Sequence, residues 1–426
     1  MTPSSPTPLP QGEGSKADVA LSSQGSTNAL LVGIGAFVAI WAGLAILSAA
    51  VIVPLFDMRF DFTPRYLGGR ALWSGISPYS EEITLDIQHA IMGENLPPNA
   101  GRHQMFYPAY VGITLAPLLP LPFPTAAAIW LGLQLTCVLV APLLWALLLG
   151  WKIRPIMLAV LVIGFGLIFR YPINMYVVGQ FIGTILLGMT AAYALLQAKR
   201  DVWAGVVLAI TAMPPQVGIA AAGILLGGYA LRGRWRGLIA FAAVIGALML
   251  VTFVQVGWWI PDFLRQLREY TIYGDQTSAL LILGKDTIRA GMIALVGAVT
   301  LLLLNQYRRG RIDSLDLFAL AILAPLLGLV PTGNYYLVLL IPLMVIALWR
   351  VHGKRGGWII WLGVALAVIS PWVYREIAPE LEMLTVPLHV GLVYVGAVWI
   401  EKTDPTPNPS PNSERGDYDE SAFTLP

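Results

Sequence analysis

Apolar runs of membrane-spanning length recur along this chain, and they constrain its fold more than any other feature. Crossing about 30 Å of hydrocarbon takes roughly 20 helical residues. Residues 29–54 and 203–231 each extend at least that far without a charged side chain. In lipid every backbone N–H and C=O must be satisfied within the segment, so such runs are helices. The pattern predicts spans near 29–54, 107–121, 124–149, 156–171, 176–197, 203–231, 237–257, 291–306, 315–333, 335–349, 357–374 and 386–401. That is an all-α polytopic membrane protein of about eleven to twelve transmembrane helices. Proline clusters at 120–124 and 214–215 predict broken or re-entrant helices there.

Composition agrees. Of 426 residues, 57% are hydrophobic and 12% charged, against about 25% charged in a soluble domain. The net charge of +2 gives no reason to expect a nucleic-acid partner. The one cysteine, Cys137, lies in an apolar run and reads as a small buried hydrophobe. His89, His103, His352 and His389 are too scattered to form a local metal motif, so no metal and no cofactor is expected. Residues 1–28 and 402–426 are rich in Pro, Ser, Gly and Thr or in charge and read as disordered tails around a membrane domain at 29–401.

Short basic loops at 232–237, 308–311 and 350–355 are each separated by two apolar runs. They belong on one face, which the positive-inside rule assigns to the cytoplasm. The loops at 55–106 and 258–290 then face the exterior, with the turns at 331–336 and 371–385. They hold most of the acidic, aromatic and histidine residues outside the tails, so a binding site is expected on that side. Lys152, Arg154, Lys199 and Arg200 join the basic face only if one short segment between 107 and 231 is re-entrant.

Within the first exterior loop, Asp57 and Asp61 follow the membrane edge, with Arg59, Arg65 and Arg70 as candidate partners. An acidic side chain is costly there unless paired or used. Read without further context, it belongs to a juxtamembrane helix at about 64–74 with solvated charges. Tyr107-Pro108 reads as an interfacial aromatic at a helix entry. Gln180 and Gln216 are polar residues at breaks in apolar runs, a pattern that by itself more often means hydrogen bonding between helices.

In order along the chain, these pieces resemble the motifs of glycosyltransferase family 87, polyprenyl-phosphate-dependent enzymes of the GT-C fold related to bacterial mannosyltransferases. Asp61 is followed by Tyr66, Arg70, Ala71, Leu72, Gly75, Pro78 and Tyr79, similar to the family's first-loop signature. Tyr107-Pro108 resembles its Y-P-P segment, Gly179-Gln180 its G-Q element, residues 204–216 a segment ending in K-P-Q, GDQTSALLIL its N-Q-S-L loop, and NYYLVLLIP its last polar-aromatic helix entry. The chain departs from the pattern at Ala109 in place of the second proline, Pro214 in place of lysine and Asn334 in place of a histidine.

The resemblance implies a GT-C-like bundle in an inner (plasma) membrane, multi-pass, with its active site facing the exterior or periplasm. It implies transfer of a sugar from a polyprenyl-phosphate donor to a lipid or glycan acceptor with inversion, Asp61 being the general base. Arg65, Tyr66, Tyr79, Tyr107, Gln180, Gln216, Gln276, Ser278, Asn334 and Tyr335 become candidate substrate contacts. Arg102, Arg265, Arg268, Lys285 and Arg289 join Arg65 as candidates for the leaving phosphate. A lipid-linked sugar flippase or an inactive assembly subunit is the alternative. The flippase would be expected to show mid-membrane charges and internal repeats.

Overall fold

The structure, a computed structural model, describes residues 14–56, 61–94, 103–211, 215–273, 286–329, 333–377 and 381–404, with the side chains of 14–30, 215–216, 270–273, 286–289 and 328–329 left out. Every regular element among the described residues is helical. Six helices are long and apolar enough to cross a membrane: Leu31–Phe56 (α1), Phe123–Leu148 (α5), Arg236–Val256 (α11), Ala290–Arg308 (in α13), Gly357–Ile377 (α16) and Glu382–Thr403 (α17). The pair Pro155–Ile168 (α6) and Arg170–Val178 (α7), bent by 52°, makes a seventh. Five shorter apolar helices are Ile182–Gln197 (α8), Asp201–Thr211 (α9), Val217–Leu231 (α10), Ser314–Leu327 (α14) and Asn334–Arg350 (α15). Short helices at Phe62–Trp73 (α2), Glu81–Met92 (α3) and Ile260–Tyr273 (α12) fill the two long loops, and Val111–Thr114 (α4) follows the first of them. The helix containing α1 starts at Gly14, so residues 14–28, expected to be tail, are helical.

Burial divides the bundle into centre and rim. In α15, Leu337 to Leu340 and Leu343 to Leu348 are fully buried, the all-round apolar helix of a large core. The span in α5 is 61% buried, whereas those in α1 and α13 are each 11% buried. The exposed Leu31, Val32, Ile46, Leu55, Leu301 and Leu302 would be unfavourable in water and cost nothing against acyl chains.

Two expected spans prove to be hairpins. In 107–121 only Val111–Thr114 is helical, and turns follow to Pro120. Both ends are tied to the same loop region: Tyr79 donates to the Tyr107 carbonyl (2.7 Å) and Tyr66 to the Leu121 carbonyl (2.6 Å). Pro108, Pro117, Pro120 and Pro122 lack the N–H groups a spanning helix needs. Close approach also holds the segment against α2, because a Cβ on Gly112 would meet the Gly69 Cα at 3.0 Å.

The second is 203–231. At 1.5 Å per residue α9 is only about 16 Å long, roughly half the hydrocarbon thickness. Its two ends meet again: Arg234 pairs with Asp201, and Gln197 donates to the Tyr229 hydroxyl (2.8 Å). The expected spans 315–333 and 335–349 also pair as a hairpin, since Arg350 bonds Asp313 and Asp316.

With these corrections the chain's polar loops sort onto two faces. Trp151 packs against His352 (5.6 Å between rings), which puts the 150–154 loop with the basic loops. Asp201 brings Lys199 and Arg200 there too, and Asp404 accepts from the Arg355 backbone N–H (2.6 Å). Helix α5, 26 residues long, separates this basic face from the one where Phe123 packs on Phe62 and Tyr66.

Candidate active site

Asp61 is the residue before α2, the position where an aspartate usually accepts from the first-turn amides. It makes no such bond. Its backbone N–H instead donates to the Val178 carbonyl at the end of α7 (2.9 Å), and its carboxylate accepts from Gln180 Nε2. Gly179, at φ +80°, turns the chain between α7 and α8 in the left-handed conformation that favours glycine. That turn presents the Gly179 carbonyl to two donors, Arg65 Nη2 (3.0 Å) and Trp130 Nε1 (3.1 Å).

Arg65 is fully buried, one turn into α2. Its Nε donates to the Asp61 backbone carbonyl (2.9 Å), closing the turn on which Asp61 sits. The guanidinium lies over the Phe181 ring at 4.4 Å and the Tyr107 ring at 4.9 Å, so its flat faces are covered by aromatic surface. Among the described residues no carboxylate pairs with it, and its Nη1 has no hydrogen-bond partner. Gln180 Oε1 is also buried and unpartnered. A donor and an acceptor therefore stand unsatisfied beside one carboxylate, a combination that native interiors rarely leave without a water or ligand.

Burial pushes the Asp61 carboxyl above the usual carboxylate range, against the opposing pull of Arg65, Gln180 and His103. Burial likewise raises Tyr107, despite Arg65 nearby. A partly shielded carboxylate with a raised pKa is the ordinary form of a general base.

The other sequence candidates are placed differently from one another. Tyr66 and Tyr79 are buried, with their hydroxyls spent on the Leu121 and Tyr107 carbonyls; Tyr79 also stacks on Trp259 (5.9 Å). They hold the hairpin and α12 against α2 and α3. Asn334 accepts from Asn174 (2.6 Å), one turn before Val178 in α7; Tyr335 follows it and packs on Tyr336. Gln276 and Ser278 lie outside the described residues, as do Arg102 and Lys285, and the side chains of Gln216 and Arg289 are not described. Arg265 is exposed and paired with Asp262 (2.9 Å).

Sequence reasoning missed His103, one of the groups that pull on the Asp61 carboxyl, and the aromatic side chains of Trp130 and Phe181 around the Gly179 turn. It also missed the ion pair of Arg170 with the buried Glu382 (2.7 Å), which ties the start of α7 to α17. An arginine within an apolar stretch was the available signal. Among the described residues, no group of three His, Cys, Asp or Glu side chains is placed to hold a metal ion.

Residues 106–282 match the model of glycosyltransferase family 87. The match indicates a membrane glycosyltransferase. It contains Tyr107, Trp130, Gly179, Gln180 and Phe181, whereas Asp61 and Arg65 lie before it; the fold joins the two sets. No curated protein and no solved structure matches the chain.

Proposed function

We propose that this protein moves a sugar, mannose-like or a pentose, from a polyprenyl-phosphate donor to a lipid or glycan acceptor. Transfer takes place with inversion at the face that carries Asp61, the exterior face of a plasma membrane. The observation that carries the reading is the Asp61 carboxylate, held by Gln180 on the turn that Arg65 closes, with Arg65 Nη1 and Gln180 Oε1 still unpartnered.

A hydroxyl is a weak nucleophile, and a positioned carboxylate raises its reactivity by taking the proton during attack. Asp61 accepts that proton as the acceptor oxygen bonds to the anomeric carbon. The bond from that carbon to the phosphate oxygen breaks, and polyprenyl phosphate leaves with the electron pair. Gln180 fixes one carboxylate oxygen and leaves the other to face the hydroxyl. Arg65 positions Asp61, and its uncompensated charge favours the anion that develops as the phosphate departs. His103 adds a partly buried imidazole to the same field.

The test is transfer of labelled sugar from a polyprenyl-phosphate sugar in membranes containing either the native protein or Asp61→Asn. Loss of transfer in a folded Asp61→Asn protein is expected, and full activity would sink the role of Asp61. Failure of both proteins with every polyprenyl-phosphate sugar tried, set against success with a nucleotide sugar, would sink the donor class.

A further inference from the structure

On the face opposite Asp61, a cavity of about 600 Å³ opens among the ends of four helices. It is lined by Arg232 after α10, Arg308 at the end of α13 with Arg309 and Arg311 after it, Arg350 at the end of α15, and Lys402 in α17. The positive-inside rule explains basic loops on one face. It does not require four separate chain segments to converge on one hollow.

The charges in this hollow are unequally matched. Its two carboxylates, Asp313 and Asp316, are already bonded to Arg350 (2.9 and 3.0 Å), which also binds Glu401. Arg232 is anchored by neutral groups, the Tyr307 carbonyl (2.8 Å) and the Tyr307 ring (3.5 Å). Arg311 bonds the Gln306 side chain (3.3 Å). Among the described residues no carboxylate pairs with Arg232, Arg308, Arg309, Arg311 or Lys402. Five cations thus surround a cavity whose acids are spoken for, and the buried Arg350 Nε beside them has no partner either.

Depth identifies the medium. Trp235, Trp358 and Trp399 are each more than half exposed and lie within a few residues of this face's basic side chains, as aromatic residues do at headgroup level. Leu301 and Leu302, about two helical turns before Arg308, leave α13 with exposed apolar surface leading to this face.

We propose that this cavity binds a phosphate-bearing anion, with the phosphate held by Arg308, Arg309 and Arg311 together with Arg232. A phospholipid headgroup and a soluble phosphate share that chemistry. The site is independent of the Asp61 reading and stands or falls without it.

The test uses full-length protein in neutral detergent with phosphatidylglycerol, phosphatidylcholine or inorganic pyrophosphate as probes, binding being read by native mass spectrometry. Phosphatidylglycerol is expected to bind in preference to phosphatidylcholine. The exposed triple variant Arg308→Ala, Arg309→Ala, Arg311→Ala should weaken it on the order of a hundredfold with thermal stability kept. Arg375→Ala, at an exposed cation on the other face, should change nothing. Phosphatidylglycerol retained against pyrophosphate assigns the site to lipid; displacement by pyrophosphate assigns it to a soluble phosphate. Equal binding of the two lipids without pyrophosphate binding, an unaffected triple variant, or an equal loss in the opposite-face control would each overturn the proposal.

Discussion

Two buried arginines at opposite faces of this bundle have opposite surroundings. Arg350 contacts three carboxylates, from Asp313, Asp316 and Glu401, and the Tyr394 hydroxyl (3.4 Å). Arg65 contacts two backbone carbonyls and two aromatic rings, with no carboxylate partner among the described residues. The first is over-compensated and joins α14, α15 and α17. The second retains its charge next to a carboxylate and a glutamine that also lacks a partner. A buried ion pair that is fully matched mainly reports architecture. A buried charge held by neutral groups is costly unless something else needs it, and here the neighbouring residue is the candidate general base.

The largest test of that contrast is catalytic. Asp61→Asn should lower transfer about a hundred- to ten-thousandfold while the fold persists, measured as labelled product per folded protein. Next comes Arg350→Met, which strips the partner from three acids. A loss of about 3 kcal/mol is expected, the low end of the cost of breaking a buried pair because Asp313 is half exposed. Thermal unfolding should show that loss, with transfer per folded molecule unchanged; a large fall in specific activity instead would erase the distinction between the arginines.

Arg65→Lys should cost roughly tenfold in transfer, because a point charge cannot serve both the Asp61 and Gly179 carbonyls while lying flat between Phe181 and Tyr107. Unchanged kinetics would show that only the charge matters. The smallest effect is on stability against pH. Burial raises Asp61 in the folded state, so the unfolded chain loses its proton first and stability falls as pH rises from about 4 through the folded value. Asp61→Asn lacks this penalty, so its melting temperature should exceed that of the native protein above that window and converge with it below. Transfer by the native protein should fall as pH drops through the same raised value.

The same contrast shows what was readable in advance. Asp61, Tyr107 and Gln180 could be singled out from their ordered motifs, and the structure brings them together. Arg65 was one of several cations near the membrane edge; nothing in its spacing distinguished the fully buried one from exposed Arg70. His103 was a lone histidine. Whether such a side chain reaches a carboxylate depends on where loop 55–106 folds back, and that is set by contacts with α7 and α12 far along the chain.

By itself the sequence determined the class of the molecule, because hydropathy over roughly 20 residues is a local quantity and lipid leaves a helix as the only solution. It also determined that the basic loops share a face. Only tertiary structure decided which apolar runs cross. Segments 107–121 and 203–231 are apolar enough to span, yet each returns to the face it left, held by Tyr66 and Tyr79 in one case and by Arg234 on Asp201 in the other. Inside a bundle, neighbouring helices shield a short hairpin from lipid, so length ceases to dictate crossing. The same long-range packing gives Asp61 its partners, which no local pattern specifies.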